Sequence, residues 1–308
     1  LTVWFSRLFF LLLFIATENL RRYIMNLRKN VAKVLLVGAL ASTMFLTACN
    51  PKGDGGAAAA PADSDTLKVG MECDYAPFNW TQTGEEHGYP IAAGGYAGGY
   101  DVEIAKKIAE SMDKKLEIVK TEWNGLTPAL TSGKIDLIIA GMSPTAERKE
   151  TIDFSNTYYT SDLVIVVKKD SPYANAKSLA DFKGANITGQ LNTFHYDVID
   201  QIEGVNKSTA LETFPAMVVA LRSGKIDGYV SERPGALSAT SANKDLTFVE
   251  FEKGKGFEAS EEDTSISVGV KKGNKELLDK VNDALSKISE DERQSIMEEA
   301  VANQPLSE

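Results

Sequence analysis

Two segments of this 308-residue chain carry residue types that could recognise a zwitterion: Gly141-Met142-Ser143 with Arg148, and Ser231-Glu232-Arg233-Pro234. An α-carboxylate calls for a forked guanidinium and free N–H groups at a helix start. Arg148 and Ser143 lie where an apolar, strand-like run passes into a helical pattern, with Pro144 near the first turn. Asn192-Thr193, after Gly189-Gln190-Leu191, would offer a second helix N-terminus. An α-ammonium calls for a carboxylate, and Glu232 is the candidate. The remaining side chain, aliphatic or cationic, calls for aromatic walls. Tyr75, Phe78, Trp80 and Trp123 fall in loops after strands, where large aromatics are less expected as core. Plainer readings stand beside these. Arg148 between Glu147 and Glu150 could be a solvated helix face, Glu232 beside Arg233 a surface pair, and the aromatics core.

Other chemistries lack their residues. With two His and two Cys in the chain, little is left for a zinc or iron–sulfur site, and no cofactor is implied. A formal charge of −10 argues against nucleic acid, which needs a basic footprint. Cys73, in Val69-Gly70-Met71-Glu72-Cys73, reads as a buried structural thiol at a strand end. Neither His87 nor His195 is placed by sequence to activate it, and both read as bland.

The elements that must position these residues alternate between strand and helix. Strands are predicted at Leu67–Met71, Leu116–Val119, Leu137–Ala140, Leu163–Val167, Ile187–Thr188, Ile226–Val230 and Ser265–Val270. Asp101–Ala109 and Leu277–Ile288 are amphipathic helices, and Leu126–Leu130 lies in a short one. The alternation means βαβ units and mainly parallel sheets flanked by helices. Ala129-Leu130-Thr131-Ser132-Gly133-Lys134-Ile135-Asp136 reappears as Ala220-Leu221-Arg222-Ser223-Gly224-Lys225-Ile226-Asp227, with seven of eight residues matching, 91 positions apart. Each copy reads as a helix end, a Gly suited to the left-handed C′ position, and a strand start. The repeated unit predicts two similar α/β lobes. Open α/β sheets bind ligands beyond the carboxyl ends of their strands, so the segments after both copies would line one cleft.

The N-terminal stretch is a different polymer. Residues 1–48 hold six basic residues and one acid, leaving −15 for 49–308. Val34–Ala48 is mostly apolar, follows Arg28, Lys29 and Lys33, and ends in Leu46-Thr47-Ala48-Cys49. That is a secretory leader, with Met25 as the expected start and 1–24 as upstream sequence; a real N-terminal membrane segment is the rival reading, against which the short apolar run Leu8–Ala16 counts. Leu46–Cys49 resembles a bacterial lipobox, which predicts an acylated (palmitate-type) Cys49. Asn50–Pro61 cannot build a core, so 49–64 reads as a flexible tether. The layout is that of a protein held by its acyl anchor at the outer face of a cell membrane.

The body resembles the extracellular solute-binding proteins, family 3, of bacterial ABC transporters for amino acids. The matching segments are Tyr75-Ala76-Pro77-Phe78, Gly99-Tyr100-Asp101-Val102 and Trp123-Asn124-Gly125-Leu126-Thr127-Pro128-Ala129-Leu130. Gly133-Lys134-Ile135-Asp136, Gly141-Met142-Ser143, Thr145, Arg148, Asp153-Phe154-Ser155 and Tyr158-Tyr159 come after them, and the likeness covers roughly 65–305. It implies a two-lobed periplasmic-binding-protein-like fold with a two-strand hinge near Asp162 and Asp263. Lobe 1 is expected at 65–163 plus 264–308 and lobe 2 at 164–263. It implies that Arg148 clamps the α-carboxylate, helped by Ser143 and the Thr193 backbone within Asn192-Thr193. It places Glu232 where relatives have an Asp for the α-ammonium, one methylene shorter. It also implies that Glu72 faces a basic side chain, that Tyr75, Phe78 and Trp123 sandwich that side chain, and that Gly141, before Met142, lets the ligand approach the backbone. The stretch Gln82–Tyr96 departs from the family's short hairpin, as a flap or a surface loop.

The function implied is capture of a free amino acid, cationic or polar such as arginine, by hinge closure, and its delivery to ABC permease subunits by a monomeric, non-enzymatic protein. Glu72, Asp74 and the −15 charge favour a cationic ligand. Two alternatives are an enzyme on the same fold, such as a dehydratase for a prephenate-like acid, and a sensor ectodomain. The first would need a cleft acid/base pair that the motifs do not supply, and the second a further membrane span after Gln304.

Overall fold

The computed structural model describes residues 65–305. The leader, the Cys49 anchor and the tether lie outside the described residues. Strands β1 (Thr66–Met71), β2 (Asp74–Tyr75), β3 (Asn79–Gln82), β4 (Tyr89–Pro90) and β5 (Tyr96–Gly98) open the chain. Helix α1 (Tyr100–Ser111), β6 (Lys115–Lys120), α2 (Trp123–Ser132), β7 (Leu137–Ile138), α3 (Ala146–Thr151) and β8 (Ile152–Thr160) follow. β9 (Leu163–Lys168), β10 (Asn186–Thr188), α4 (Phe194–Asp197), β11 (Asn206–Lys207), α5 (Phe214–Arg222), β12 (Gly228–Glu232), α6 (Arg233–Ala242) and β13 (Leu246–Val249) come next. The chain then runs through α7 (Glu261–Thr264), β14 (Ser265–Lys271), α8 (Lys275–Ser286) and α9 (Glu290–Asn303).

These strands form two five-stranded sheets, ordered β6-β1-β7-β14-β8 and β11-β10-β12-β9-β13, and a small four-stranded one, β2-β3-β5-β4. Each large sheet is half parallel. β1 runs with β6 and β7, and β10 with β11 and β12, as βαβ units require. The other half differs from the mainly parallel expectation: β14 is antiparallel to β7 and β8, and β9 to β12 and β13. The reason is the hinge. β8 passes through Ser161-Asp162 directly into β9 of the other sheet, and β14 brings the chain back, so each enters its sheet against the grain of the βαβ strands. The two passages lie side by side, with Ser161 N donating to the Thr264 carbonyl at 3.0 Å.

The uninterrupted apolar run of β9 has a structural cause. Side chains alternate faces along a strand. Val164 and Val166 join the cluster that continues into the first sheet, whereas Ile165 and Val167 pack with Phe182, Ile187 and Val230 on the opposite face. A strand buried on both sides needs no polar alternation. Helix α1 buries Ile104, Ala105, Ile108 and Ala109, the face its spacing predicts. Helix α9 was not expected: its residues are mostly polar and only Ile296, Met297 and Ala300 are buried, too few to write a period. Helix α8 ends at Ser286, before the expected Ile288, because Ser289 caps the next helix by accepting from Glu292 N at 3.2 Å. The Gln82–Tyr96 stretch is not a lid. Ile91 bridges Ile118 of β6, Ala92 N donates to the Ile118 carbonyl, and Tyr89 Oη donates to the Leu116 carbonyl at 2.9 Å. It covers the open edge of the first sheet, which would otherwise present unpaired backbone groups.

Candidate functional site

The two large sheets present the carboxyl ends of β1, β7 and β12 to one another. On the first side, the apolar run of β1 gives out at Met71, and Glu72 follows, only 4% exposed. Both of its carboxylate oxygens accept from Gln190 Nε2, at 3.1 and 3.2 Å. Burial pushes the Glu72 carboxyl up to about 7, with Gln190 and Lys120 opposing the rise and Asp74 adding to it. Beyond β7 the chain turns at Gly141, at φ 59°, where an added Cβ would stand 2.9 Å from the Tyr75 ring. Thr145 then caps α3, its hydroxyl accepting from Arg148 N at 3.4 Å. Pro144 therefore precedes the cap.

The cap fixes where Arg148 points. Its Nη1 donates to the Ser143 carbonyl at 2.9 Å and its Nη2 to the Asn192 carbonyl at 3.2 Å, and its guanidinium carbon lies 5.1 Å from the centre of the Trp123 ring. Burial pulls its pKa down to about 10, against the neighbouring acids Glu147, Asp197, Glu232 and Asp263. Ser143 Oγ donates to the Asp263 carbonyl at 2.9 Å. On the second side, Thr193 caps the short α4 and its hydroxyl donates to the Gln190 carbonyl at 2.7 Å. Glu232 closes β12 and is 2% exposed, accepting from the Tyr75 hydroxyl. Its carboxyl is pushed up to about 7, by burial first, then lowered by the Tyr75 bond and Arg148 and raised by Asp101. The Tyr75 hydroxyl is pushed well above its ordinary value by burial and by Glu232.

Tyr75, Trp123, Gly141, Ser143, Arg148 and Thr193 thus line one cavity, with Gln190, Phe194, His195 and Asp263. Its volume is about 10 Å³, the room of a single water. The Tyr75 ring closes it, stacked on Phe214 at 4.1 Å between centroids. Anything larger than a water molecule enters only if the lobes part or Tyr75 swings away. Other bonds join the two sides: Trp123 Nε1 donates to the Asn192 carbonyl at 3.2 Å, and Asn192 Nδ2 donates to Asn124 Oδ1 at 2.8 Å. Outside the cavity a groove of about 810 Å³ is lined by Met142, Arg148, Asn192 and Phe194 among others.

Several expected residues do not line the cavity: Glu72 and Glu232 reach it only through Gln190, Tyr75 and His195, and Asn192 lines only the outer groove. Phe78 is wholly buried behind Tyr75, 5.0 Å from its ring, and packs edge-on to Tyr100 and Tyr159, so it backs the cavity wall and does not line it. Trp80 belongs to β3 and donates from Nε1 to Gln82 Oε1. Met142 lines only the groove. Gln190, His195, Phe214 and Asp263 were not anticipated as site residues. Gln190 lies two residues before Asn192-Thr193 and could have been found from that pair. Nothing in the local sequence of Phe214 or Asp263 marks them, because they meet the site only across the interface. Among the described residues no group of three His, Cys, Asp or Glu side chains could hold a metal ion, and no helix is long and apolar enough to cross a membrane.

The sequence that builds this cleft matches the bacterial extracellular solute-binding proteins, family 3, over residues 67–301. The chain belongs to that family. Among its relatives is the arginine-binding extracellular protein ArtP of Bacillus subtilis, 30% identical over 83% of this chain and 92% of that protein. A probable histidine-binding protein of Campylobacter jejuni is 31% identical over 70% of this chain and 79% of its own. In structure, the substrate-binding protein of an amino acid ABC transporter from Streptococcus pneumoniae, bound to L-arginine, superposes with a TM-score of 0.68. It is 29% identical and covers 77% of this chain and 94% of that one. This family 3 chain therefore has, as relatives, amino-acid-binding proteins of ABC transporters on the same two-lobed fold.

Proposed function

We propose that the chain captures one amino acid, cationic and of the arginine type, between lobes 65–163 plus 264–308 and 164–263, and delivers it to an ABC permease without chemical change. The observation that carries this reading is a buried cavity lined by Arg148 from one side, whose Tyr75 and His195 stand against the buried carboxylate of Glu232 from the other. Arg148 with Ser143 and the Thr193 N–H takes the α-carboxylate. Glu232 takes the α-ammonium once the Tyr75 hydroxyl yields it. Glu72, beside Gln190, faces the cationic end, and Tyr75 and Trp123 flank the aliphatic stem. Closure desolvates every charge, which is tolerable because each finds a partner. Relatives named for arginine support the ligand class. The acyl anchor at Cys49 and the tether 49–64 would hold the chain at the outer face of the membrane.

A thermal-shift panel of the twenty amino acids tests this. Arginine or lysine should raise the unfolding midpoint of the full chain in a concentration-dependent way. A rise with a carboxylic metabolite and with no amino acid would sink the reading.

A further inference from the structure

His195 carries two polar ring atoms that the protein leaves without hydrogen bonds. It lies on α4 just past the Thr193 cap and lines the cleft cavity beside Tyr75, Arg148 and Gln190. The residue is 9% exposed, so nine-tenths of it is withdrawn from water. Nδ1 is fully buried and has no partner. Nε2 lies 3.7 Å from Glu232 Oε1, too far for a hydrogen bond. A buried donor or acceptor without a partner costs on the order of 1–3 kcal/mol, so native structures rarely keep one except where function needs it. The Phe214 ring stands edge-on to the imidazole, 6.0 Å between centroids, and holds it in place without offering a polar group.

The charges around the ring decide its state. Arg148 approaches from α3, Glu232 from the end of β12, and the Tyr75 hydroxyl from β2 lies against that carboxylate. Burial, and then Arg148, pull the His195 pKa down to about 4, so the ring is neutral near pH 7. A neutral imidazole has one nitrogen free to accept; with the proton on the enclosed Nδ1, which stays unpartnered, that nitrogen is Nε2, the one facing Glu232. A donor group seated between Glu232 Oε1 and His195 Nε2 could reach both, since a gap of 3.7 Å separates them.

We propose that His195 is a ligand-binding residue of the cleft, its neutral imidazole accepting one N–H of the amino acid's α-ammonium beside Glu232. An ammonium carries three donors, and Glu232 alone leaves donors to be satisfied. This rests on the proposed amino-acid capture and assigns it a further recognition group.

The chain has two histidines, so the experiment is nearly free of overlap. Histidine ring-nitrogen NMR spectra of the full chain, with the His87 signals assigned through His87→Gln, are recorded with and without saturating L-arginine and L-glutamine, while calorimetry measures each affinity. The expected result is that the His195 ring signals move on binding, keep the pattern of a neutral ring at pH 6, and leave those of His87 in place. His195→Phe should weaken binding at least about tenfold, and His195→Gln, which keeps an acceptor, by less. Binding without any movement of the His195 signals would overturn the proposal and leave amino-acid capture standing, whether or not the Phe variant folds. A chain that binds neither these nor any other amino acid would overturn both.

Discussion

The repeated octapeptide is used twice for the same task and then continued in two different ways. At 129–136 Gly133 turns the end of α2 at φ 77°, its N–H donating to the Leu130 carbonyl and that of Lys134 to the Ala129 carbonyl. At 220–227 Gly224 does the same for α5 at φ 75°, with Leu221 and Ala220 as acceptors. The final aspartates match as well. Asp136 Oδ2 accepts from Lys68 N at 2.8 Å, and Asp227 Oδ2 from Asn186 N at 2.8 Å, so each ties its helix-to-strand turn to the neighbouring parallel strand. Beyond this the copies part. The first continues into a two-residue strand and the buried turn at Gly141, which leads to the cation Arg148. The second continues into a fully buried five-residue strand that ends on the anion Glu232. One scaffold unit therefore leads to a cation on one side of the cleft and to an anion on the other, and the proposed orientation of a zwitterion follows from the segment that each copy leads into.

Breaking the first wall should have the largest effect. Arg148→Ala is expected to weaken binding of every amino acid by at least about a hundredfold, read by calorimetry, since it leaves a desolvated carboxylate unpaired. Equal affinity in the variant would remove Arg148 from the carboxylate site.

The second comparison is between the acids and the imidazole that the two walls bury. Glu72 and Glu232 are held near 7 and Asp101 near 6, each raised chiefly by burial. Their contribution to stability is full below the ordinary carboxylate range and is lost as pH rises through about 7. His195, held near 4, contributes in the opposite sense, fully above about 6.5 and lost as pH falls through 4. Three groups oppose one, so without added amino acid the unfolding midpoint should be several degrees higher at pH 5.5 than at pH 8. Saturating L-arginine should flatten that slope. A midpoint that falls on acidification over this range would contradict the buried carboxyls.

A smaller effect separates Glu72 from Glu232. Glu72→Gln should cost about tenfold for arginine and lysine and leave glutamine within about twofold. An equal loss for the neutral ligand would remove Glu72 from the side-chain site. The smallest effect tests the shared unit itself. Gly133→Ala and Gly224→Ala each place a Cβ in open space at a left-handed φ, so strain alone acts. Each should cost about 1 kcal/mol in denaturant unfolding, and the two costs should agree. A clear inequality would mean that the two turns, alike in sequence, are not alike in the energy they carry.

The parts of the site that were legible share a local cause. Arg148 could be placed because a strand end, the cap Thr145 and the helix that starts at Ala146 are all written within a dozen residues. The octapeptide could be paired with its copy because helix caps and turns depend on nearest neighbours. Phe78 was misplaced because an aromatic in a loop after a strand has the same local appearance whether it faces a ligand or, as here, the backs of Tyr75 and Tyr100. Helix α9 went unseen because packing, not its own period, stabilises it.

By itself the amino-acid sequence determined the alternation of strand and helix, the repeated unit, the family motifs and the charges available to the cleft, because periodicity and capping are short-range. Only the tertiary structure decided that Tyr75 stacks on Phe214, that Gln190 reaches Glu72 and that His195 is left without a partner near Glu232. Those pairs are far apart along the chain, with whole strands and helices between their members. They arise when two sheets dock across a hinge, and the free energy of that docking is written in no single segment.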